Sequence, residues 1–386
     1  MSKESVKKLI GEVFNEVADA IKNGSFEKKV KIGLTTFESE HGVKELIKAA
    51  EMAEKKYKDF EIVLIGPKAD TKLYTYEANT YKEAHSIMEE LIDRGEIDGC
   101  VTQHYNFPIG VSTVGRIITP GKGKEMLIAT TTGTSSTNRV EGMVKNAIYG
   151  IITAKACGIE NPSLGILNID GARQVERILK DIDSRGYKIN FAKSIRSDGG
   201  CIMRGNDLLA GTPDVMVTDT LTGNLLIKIF SSYTTGGDYE SFGYGYGPGI
   251  GAGYKRLICI TSRASGAPVV CEALRFCATC AQSNILNIAE EEFKKLNNAC
   301  FNEIIKNKTL QNANNNYKEI KLPAKKVVTH AISGIDILDL ESAVRELLES
   351  GVYSESGMGC TGPVLLVADE DAEAAKNILM KKGYII

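Results

Sequence analysis

The chain of 386 residues has no tryptophan and only four histidines, and its basic and acidic side chains nearly cancel, 47 against 49. With aromatics at 7%, aromatic-lined platforms for sugars or single-stranded nucleic acid are excluded as the main theme. Without a basic surplus there is no electrostatic footprint for nucleic acid. No stretch reaches the roughly 18 apolar residues of a membrane helix. The charged, amphipathic start MSKESVKKLIGEVFNEVADAIKNG lacks the apolar run of about 7–15 residues of an export signal. The expectation is a soluble, cytoplasmic protein with neither nucleic acid nor membrane as partner. His41, His85, His104 and His330 are scattered without metal-ligand spacing, so no metal site is expected. His85 reads as a solvated helix residue, and His104 and His330 as structural histidines or bases for a thiol.

Two residue types are abundant, with 38 glycines and nine cysteines. An odd number of thiols without an export signal reads as reduced rather than paired. The length predicts two or three domains, each able to bury a core without disulfide or metal staples. The question is which glycines and which cysteine carry chemistry.

Residues 1–23 place Val6, Leu9, Ile10, Val13, Val17 and Ile21 at helical spacing, which predicts an amphipathic helix. Apolar runs then recur at 30–34, 61–65, 99–102, 127–129, 164–169, 214–218 and 256–261. Between them lie helical patterns at 41–57, 81–95, 138–157, 171–186, 222–233 and 268–297. Alternating apolar strands and helices predict an α/β protein whose parallel sheets are covered on both faces. Residues 306–325, rich in Asn and Lys, read as an exposed linker. The remaining 326–386 alternate strand and helix twice and form a separate small α+β module.

Eight glycines fall in TTGGDYESFGYGYGPGIGAGYKRL. At alternate positions they let backbone N–H groups approach a phosphate, so Gly245, Gly247, Gly249 and Gly251 are candidate phosphate ligands. The spacing matches neither a dinucleotide fingerprint nor a P-loop, and glycine density alone fits a flexible loop equally well. A second polar cluster, ATTTGTSSTNR, precedes a helix, and its Ser135, Ser136, Thr137 and Asn138 are candidates to cap that helix or bind an anion at its start. Ser262 and Arg263 follow a strand end, where α/β sheets hold ligands, and Arg263 can clamp a phosphate with two N–H groups or form a surface ion pair.

The segment GNDLLAGTPDVMVTDTLTGNLLIK resembles the signature of the phosphate acyltransferases of phospholipid synthesis, through Asp207, Asp214, Asp219, Gly223, Asn224 and Lys228. TSRASG is similar to the Ser-Arg segment of phosphotransacetylases. Those resemblances imply two doubly wound parallel-sheet subdomains with an acyl-phosphate cleft between them, a phosphate acyltransferase or isocitrate dehydrogenase-like fold. The first subdomain would comprise residues 24–150 and 265–305, and the second 151–264. Asn224 and Lys228 thereby join the candidate site.

Among the cysteines, Cys277 and Cys280 form a lone C-x-x-C in a helical pattern and read as buried packing residues. Cys157, Cys201, Cys259, Cys271 and Cys300 read likewise. Cys100 ends a strand close to His104, and a cleft position is open to both. Cys360 differs, because S-E-S-G-M-G-C-T-G-P surrounds it with glycines that permit a tight bend. The backbone N–H groups of Thr361 and Gly362 are then candidates to face an oxyanion.

Over the whole chain, ATTTGTSSTNRVEGMVKNAIYGIITAKACGI, GYGYGPGIGAGYKR and SESGMGCTGPVLLVADEDAEAAK resemble the component C alpha family of glycine/sarcosine/betaine reductase complexes. The resemblance implies that the thiol at Cys360 accepts an acyl group. It further implies a subunit of an oxidoreductase complex with a phosphate acetyltransferase-type half reaction. A carboxymethyl group on a selenoprotein becomes an acetyl thioester, and inorganic phosphate, as co-substrate and without other cofactor, releases acetyl phosphate. The implied partners are that selenoprotein and a beta subunit resembling ketoacyl synthases. The alternatives are a stand-alone phosphate acyltransferase using acyl-CoA or acyl carrier protein, and a non-catalytic scaffold subunit. The linker composition would let the module swing its thiol between partner and cleft.

Overall fold

The computed structural model describes residues 29–197, 199–301, 303–304, 323–336, 339–359 and 362–385, together with residues 11, 14 and 17. Most of the amphipathic segment 1–23 and of the segment 306–325, and Cys360 and Thr361, lie outside the described residues.

The strands in chain order are β1 Val30–Thr35, β2 Phe60–Gly66, β3 Thr75–Glu77, β4 Gly99–Thr102, β5 Val111–Ile118, β6 Glu125–Thr134, β7 Ser163–Leu167, β8 Asn190–Phe191, β9 Ile202–Met203, β10 Val215–Val217, β11 Gly247–Ile250 and β12 Ile258–Ile260. They form one mixed sheet in the order β3-β2-β1-β4-β12-β11-β5-β6-β10-β7-β8, with β9 also on β7. Its flanks, β3-β2-β1-β4-β12 and β6-β10-β7, are parallel. At the centre, β11 and β5 run antiparallel to their neighbours and sew the two flanks together. The protein is thus α/β with a largely parallel sheet.

The main-body helices are α1 Val43–Lys56, α2 Tyr81–Asp93, α3 Arg139–Ala156, α4 Ala172–Ser184, α5 Gly205–Ala210, α6 Thr220–Ser232, α7 Ala267–Gln282 and α8 Ile285–Asn298. They cover the sheet because its strands are apolar on both faces. α3 is buried along most of its length, and small residues make that possible, since a Cβ on Gly150 would lie 2.3 Å from Val215. Residues 150 and 151, the expected subdomain border, lie inside α3. The single helical pattern at 268–297 is two helices, because Asn284 takes a left-handed φ of 52° and its side chain accepts the Asn287 N–H at the start of α8. The polar AQSN stretch is the sequence signal for that break.

The C-terminal module has its own core of Ile332, Leu340, Ala343, Leu347, Leu365, Val367, Ala375 and Leu379. Its antiparallel strands β13 His330–Ser333, β14 Ser354–Gly359 and β15 Gly362–Val367 are ordered β13-β15-β14 and pack with α9 Leu340–Glu349 and α10 Ala372–Lys382. Residues 354–359 and 362–367, which flank Cys360 and Thr361, are paired antiparallel strands with Gly359 opposite Gly362.

Candidate functional site

The strands of both flanks end at a cleft of about 500 Å³, whose lining includes Gln103, His104, Thr132, Gly133, Asn224, Lys228, Tyr246, Thr261, Ser262 and Arg263. The parallel run of β4 and β12 delivers residues 103–104 and 261–263 from one flank. The end of β6 delivers Thr132 and Gly133 and the first three turns of α6 deliver Asn224 and Lys228 from the other, while Tyr246 comes from just before β11. The site therefore sits outside the strand C-termini, where an α/β sheet leaves room for a ligand.

α6 is pressed against β6, and it can be because of Gly223, where a Cβ would lie 1.8 Å from the Thr130 carbonyl oxygen. Asn224 then donates to the Thr131 carbonyl at 3.0 Å. One turn later Lys228 Nζ reaches Ser262 Oγ at 3.4 Å, approaches Glu240 at 3.8 Å and lies over the Tyr246 ring. Glu240, buried, accepts from the Tyr246 hydroxyl at 3.0 Å and from Ser265 Oγ at 2.6 Å. This carboxylate sets the ammonium's position from below. Across the cleft the half-exposed Arg263 pairs with Glu38 at 3.0 Å. Two cations and several hydroxyl or amide groups thus converge on one opening, a donor set suited to a phosphate-sized anion.

Sequence reading named Asn224, Lys228, Ser262, Arg263 and His104, and the structure brings all five to this cleft. It missed Thr132 and Gly133, from the same polar run as the residues it chose. His85 is half-buried, with Nε2 3.2 Å from Thr102 Oγ1, rather than solvated. Burial first, then neighbouring His104, lowers its pKa. His104 itself stacks on Tyr81.

Three expectations require correction. Gly247 and Gly249 belong to the buried strand β11 and are not a loop around an anion. Gly247 has φ 84°, and a Cβ there would sit 1.8 Å from the Val114 carbonyl oxygen; Gly249 faces the Phe107 ring, Gly251 the Gly110 carbonyl and Gly245 the Ile260 carbonyl. The glycines exist so that the central strands can approach. Secondly, Ser135 to Asn138 do not line the cleft. Ser135 is buried, bonded to Ser112 Oγ and Asn146 Oδ1, each at 2.5 Å. Ser136 Oγ accepts the Asn138 N–H, Asn138 caps α3 by accepting from Glu141 N–H at 3.0 Å, and Thr137 is exposed. Thirdly, Cys100 is fully buried inside β4, and burial first, then Cys277, pushes its pKa well up. The strand register that hides Cys100 is the one that turns Thr102 to the cleft end. Cys360 and Thr361 lie outside the described residues, and of Gly362 only its strand pairing is described.

The acids of the motif at 205–228 have structural duties. Asp207 accepts from Ser194 Oγ and from the N–H groups of Ile195 and Arg204. Burial raises its pKa, but these bonds, led by the Arg204 N–H, outweigh it and hold the carboxyl below its ordinary value. Asp214 ties the start of β7 through Ser163, and Asp219 caps α6 through the Thr222 N–H.

Residues 30–366 match the family described as fatty acid synthesis protein. The chain is 58% identical over 382 residues to the glycine/sarcosine/betaine reductase complex component C subunit alpha of Peptoclostridium acidaminophilum, covering 98% of this chain and 99% of that protein. A phosphate acyltransferase of Geobacillus sp. (strain WCH70) is 25% identical over 244 residues, 52% of this chain and 70% of its own. Among solved structures, a branched-chain phosphotransacylase from Enterococcus faecalis V583 aligns with a TM-score of 0.46 at 16% identity, covering 65% of this chain and 99% of that one.

Proposed function

The chain belongs to the family of component C alpha subunits of glycine/sarcosine/betaine reductase complexes, and on that premise we propose that it is the acyl-transferring subunit of such a complex. In this reading Cys360, as thiolate, takes the two-carbon unit from a carboxymethyl group on a selenoprotein. The carbon–selenium bond breaks, a sulfur–acyl bond forms, and the methylene carbon is reduced to methyl. Selenium leaves oxidised, as a selenenic acid carrying one carboxylate oxygen. Covalent capture on sulfur splits one hard step into two easier ones. A phosphate oxygen then attacks the thioester carbonyl. The tetrahedral oxyanion collapses with Cys360 as leaving thiolate, yielding acetyl phosphate. Arg263, Lys228, Ser262 and Asn224 orient the phosphate, and the N–H groups of Thr361 and Gly362 face the oxyanion. A beta subunit resembling ketoacyl synthases completes the complex.

The observation that carries this reading is the extent of the likeness, which runs through the cleft-bearing body and on through the module with Cys360. An acyl-CoA-dependent phosphate acyltransferase would need no protein thiol. Mass spectrometry of the complex supplied with carboxymethyl donor but no phosphate should find an acetyl group on the Cys360 peptide, discharged when phosphate is added. An adduct confined to another cysteine, or full turnover of acetyl-CoA with phosphate by Cys360→Ser, rejects the assignment.

A further inference from the structure

α4 starts without a side-chain cap of its own, because Gly171, at its N-cap with φ 90°, has no side chain to offer. The first N–H groups of a helix lack partners within it and carry partial positive charge. Here the partner comes from the C-terminal module. Asp336 Oδ1 accepts from the Gly171 N–H and Oδ2 from the Arg173 N–H, each at 3.2 Å. Asp339 continues the contact one turn along, accepting from Gln174 Nε2 at 2.5 Å and pairing with Arg177, which also donates to the Gly383 carbonyl. Both aspartates are buried, at 5% and 7% exposure.

The place of this contact matters. α4 follows β7, and β7 is separated from β6 by one strand, β10. The three strands are parallel, so the starts of α3, α6 and α4 share one edge of the sheet, the edge at which β6 and α6 form a cleft wall. At a usual strand spacing of about 4.8 Å the module is seated roughly 10 Å along that edge from the wall. Arg139 spans the interval, with Nε donating to the Asp170 carbonyl at 3.1 Å, next to Gly171, and Nη2 bonding Asp219 at 3.0 Å. Asp219 in turn caps the helix that carries Asn224 and Lys228.

We propose that Asp336 and Asp339 form a seat that holds the module at the cleft edge, and that the acyl group is discharged to phosphate from the seated position. They are positioning residues, acting through the placement of the module. The inference rests on the reading of Cys360 as the acyl carrier.

The test uses the full chain in its complex and follows exchange of labelled inorganic phosphate into acetyl phosphate, a partial reaction that needs only the thiol and the cleft. Amide hydrogen exchange at Gly171 and Arg173 reports the seat directly. Asp336→Ala should speed exchange of those two amides at least tenfold and slow phosphate exchange by a similar factor. The KM for phosphate should stay unchanged, because the cleft is intact. Asp339→Arg and Arg177→Asp should each slow the reaction, and the two together should recover it, a rescue that general misfolding cannot produce. Loosened amides with undiminished or faster phosphate exchange would overturn the seat. If Cys360→Ser retains phosphate exchange, the thiol reading itself fails; if it abolishes exchange while Asp336→Ala does not slow it, only the seat fails.

Discussion

Glycine and hydroxyl residues decide much at the scale of single side chains. Gly247 and Gly253 both have positive φ, 84° and 72°, but a Cβ at 247 meets the Val114 carbonyl oxygen at 1.8 Å and one at 253 meets nothing within 4 Å. Gly253→Ala bears the left-handed penalty alone, about 1 kcal/mol, whereas Gly247→Ala adds a backbone clash and should cost about 2–4 kcal/mol. Denaturant unfolding of the two variants checks the difference. Equal losses would contradict the buried placement of β11. The alternating glycines were visible in the sequence; their duty was not, because a glycine needed by a ligand and one needed by a neighbouring strand look the same until the neighbour is known. The same holds for Ser135, whose hydroxyl is spent on Ser112 and Asn146.

Elements were legible in proportion to how fully their residues advertise burial. The strands of the parallel flanks have continuous apolar runs, because helices cover both faces. β5 was missed since its buried Ser112 and Thr113 hide polar groups by bonding them to Ser135, Thr131 and Thr132, so its pattern is not that of an apolar strand. β11, with the sequence GPGI, has poor strand propensity and is a strand because its neighbours make it one. Asn138 illustrates the converse, a helix start readable in sequence whose role is capping. Asn138→Ala should lower stability by about 1 kcal/mol and leave the KM for phosphate unchanged, as measured by thermal unfolding and steady-state phosphate titration. Arg263→Ala should raise that KM without a comparable stability loss, since its guanidinium is half-exposed and bonded to Glu38.

For the molecule as a whole, the continuous sheet makes a prediction about its thiols. Cys100, Cys259, Cys277 and Cys280 are almost wholly enclosed where β4, β12 and α7 meet, and Cys300 is exposed. Burial, first among the causes, drives the pKa of Cys100, Cys259 and Cys280 well up and those of Cys157 and Cys271 to about 11. A raised thiol pKa means less thiolate at neutral pH, and the thiolate is the nucleophile. Iodoacetamide at pH 8, read by peptide mapping, should therefore modify Cys300 well before the four enclosed thiols, which should react only after unfolding. Native labelling of Cys100 as fast as Cys300 would mean that the sheet opens between β4 and its neighbours. No helix among the described residues is long and apolar enough to cross a membrane. The sequence by itself determined the α/β class and named five residues that line one cleft, since apolar periodicity and short motifs are local properties of the chain. Only the tertiary structure decided that the glycines build a central strand, that Cys100 is walled in, and that Asp336 caps a helix begun at Gly171. Each of those depends on which distant backbone lies alongside, and that is set by packing rather than by neighbours in sequence.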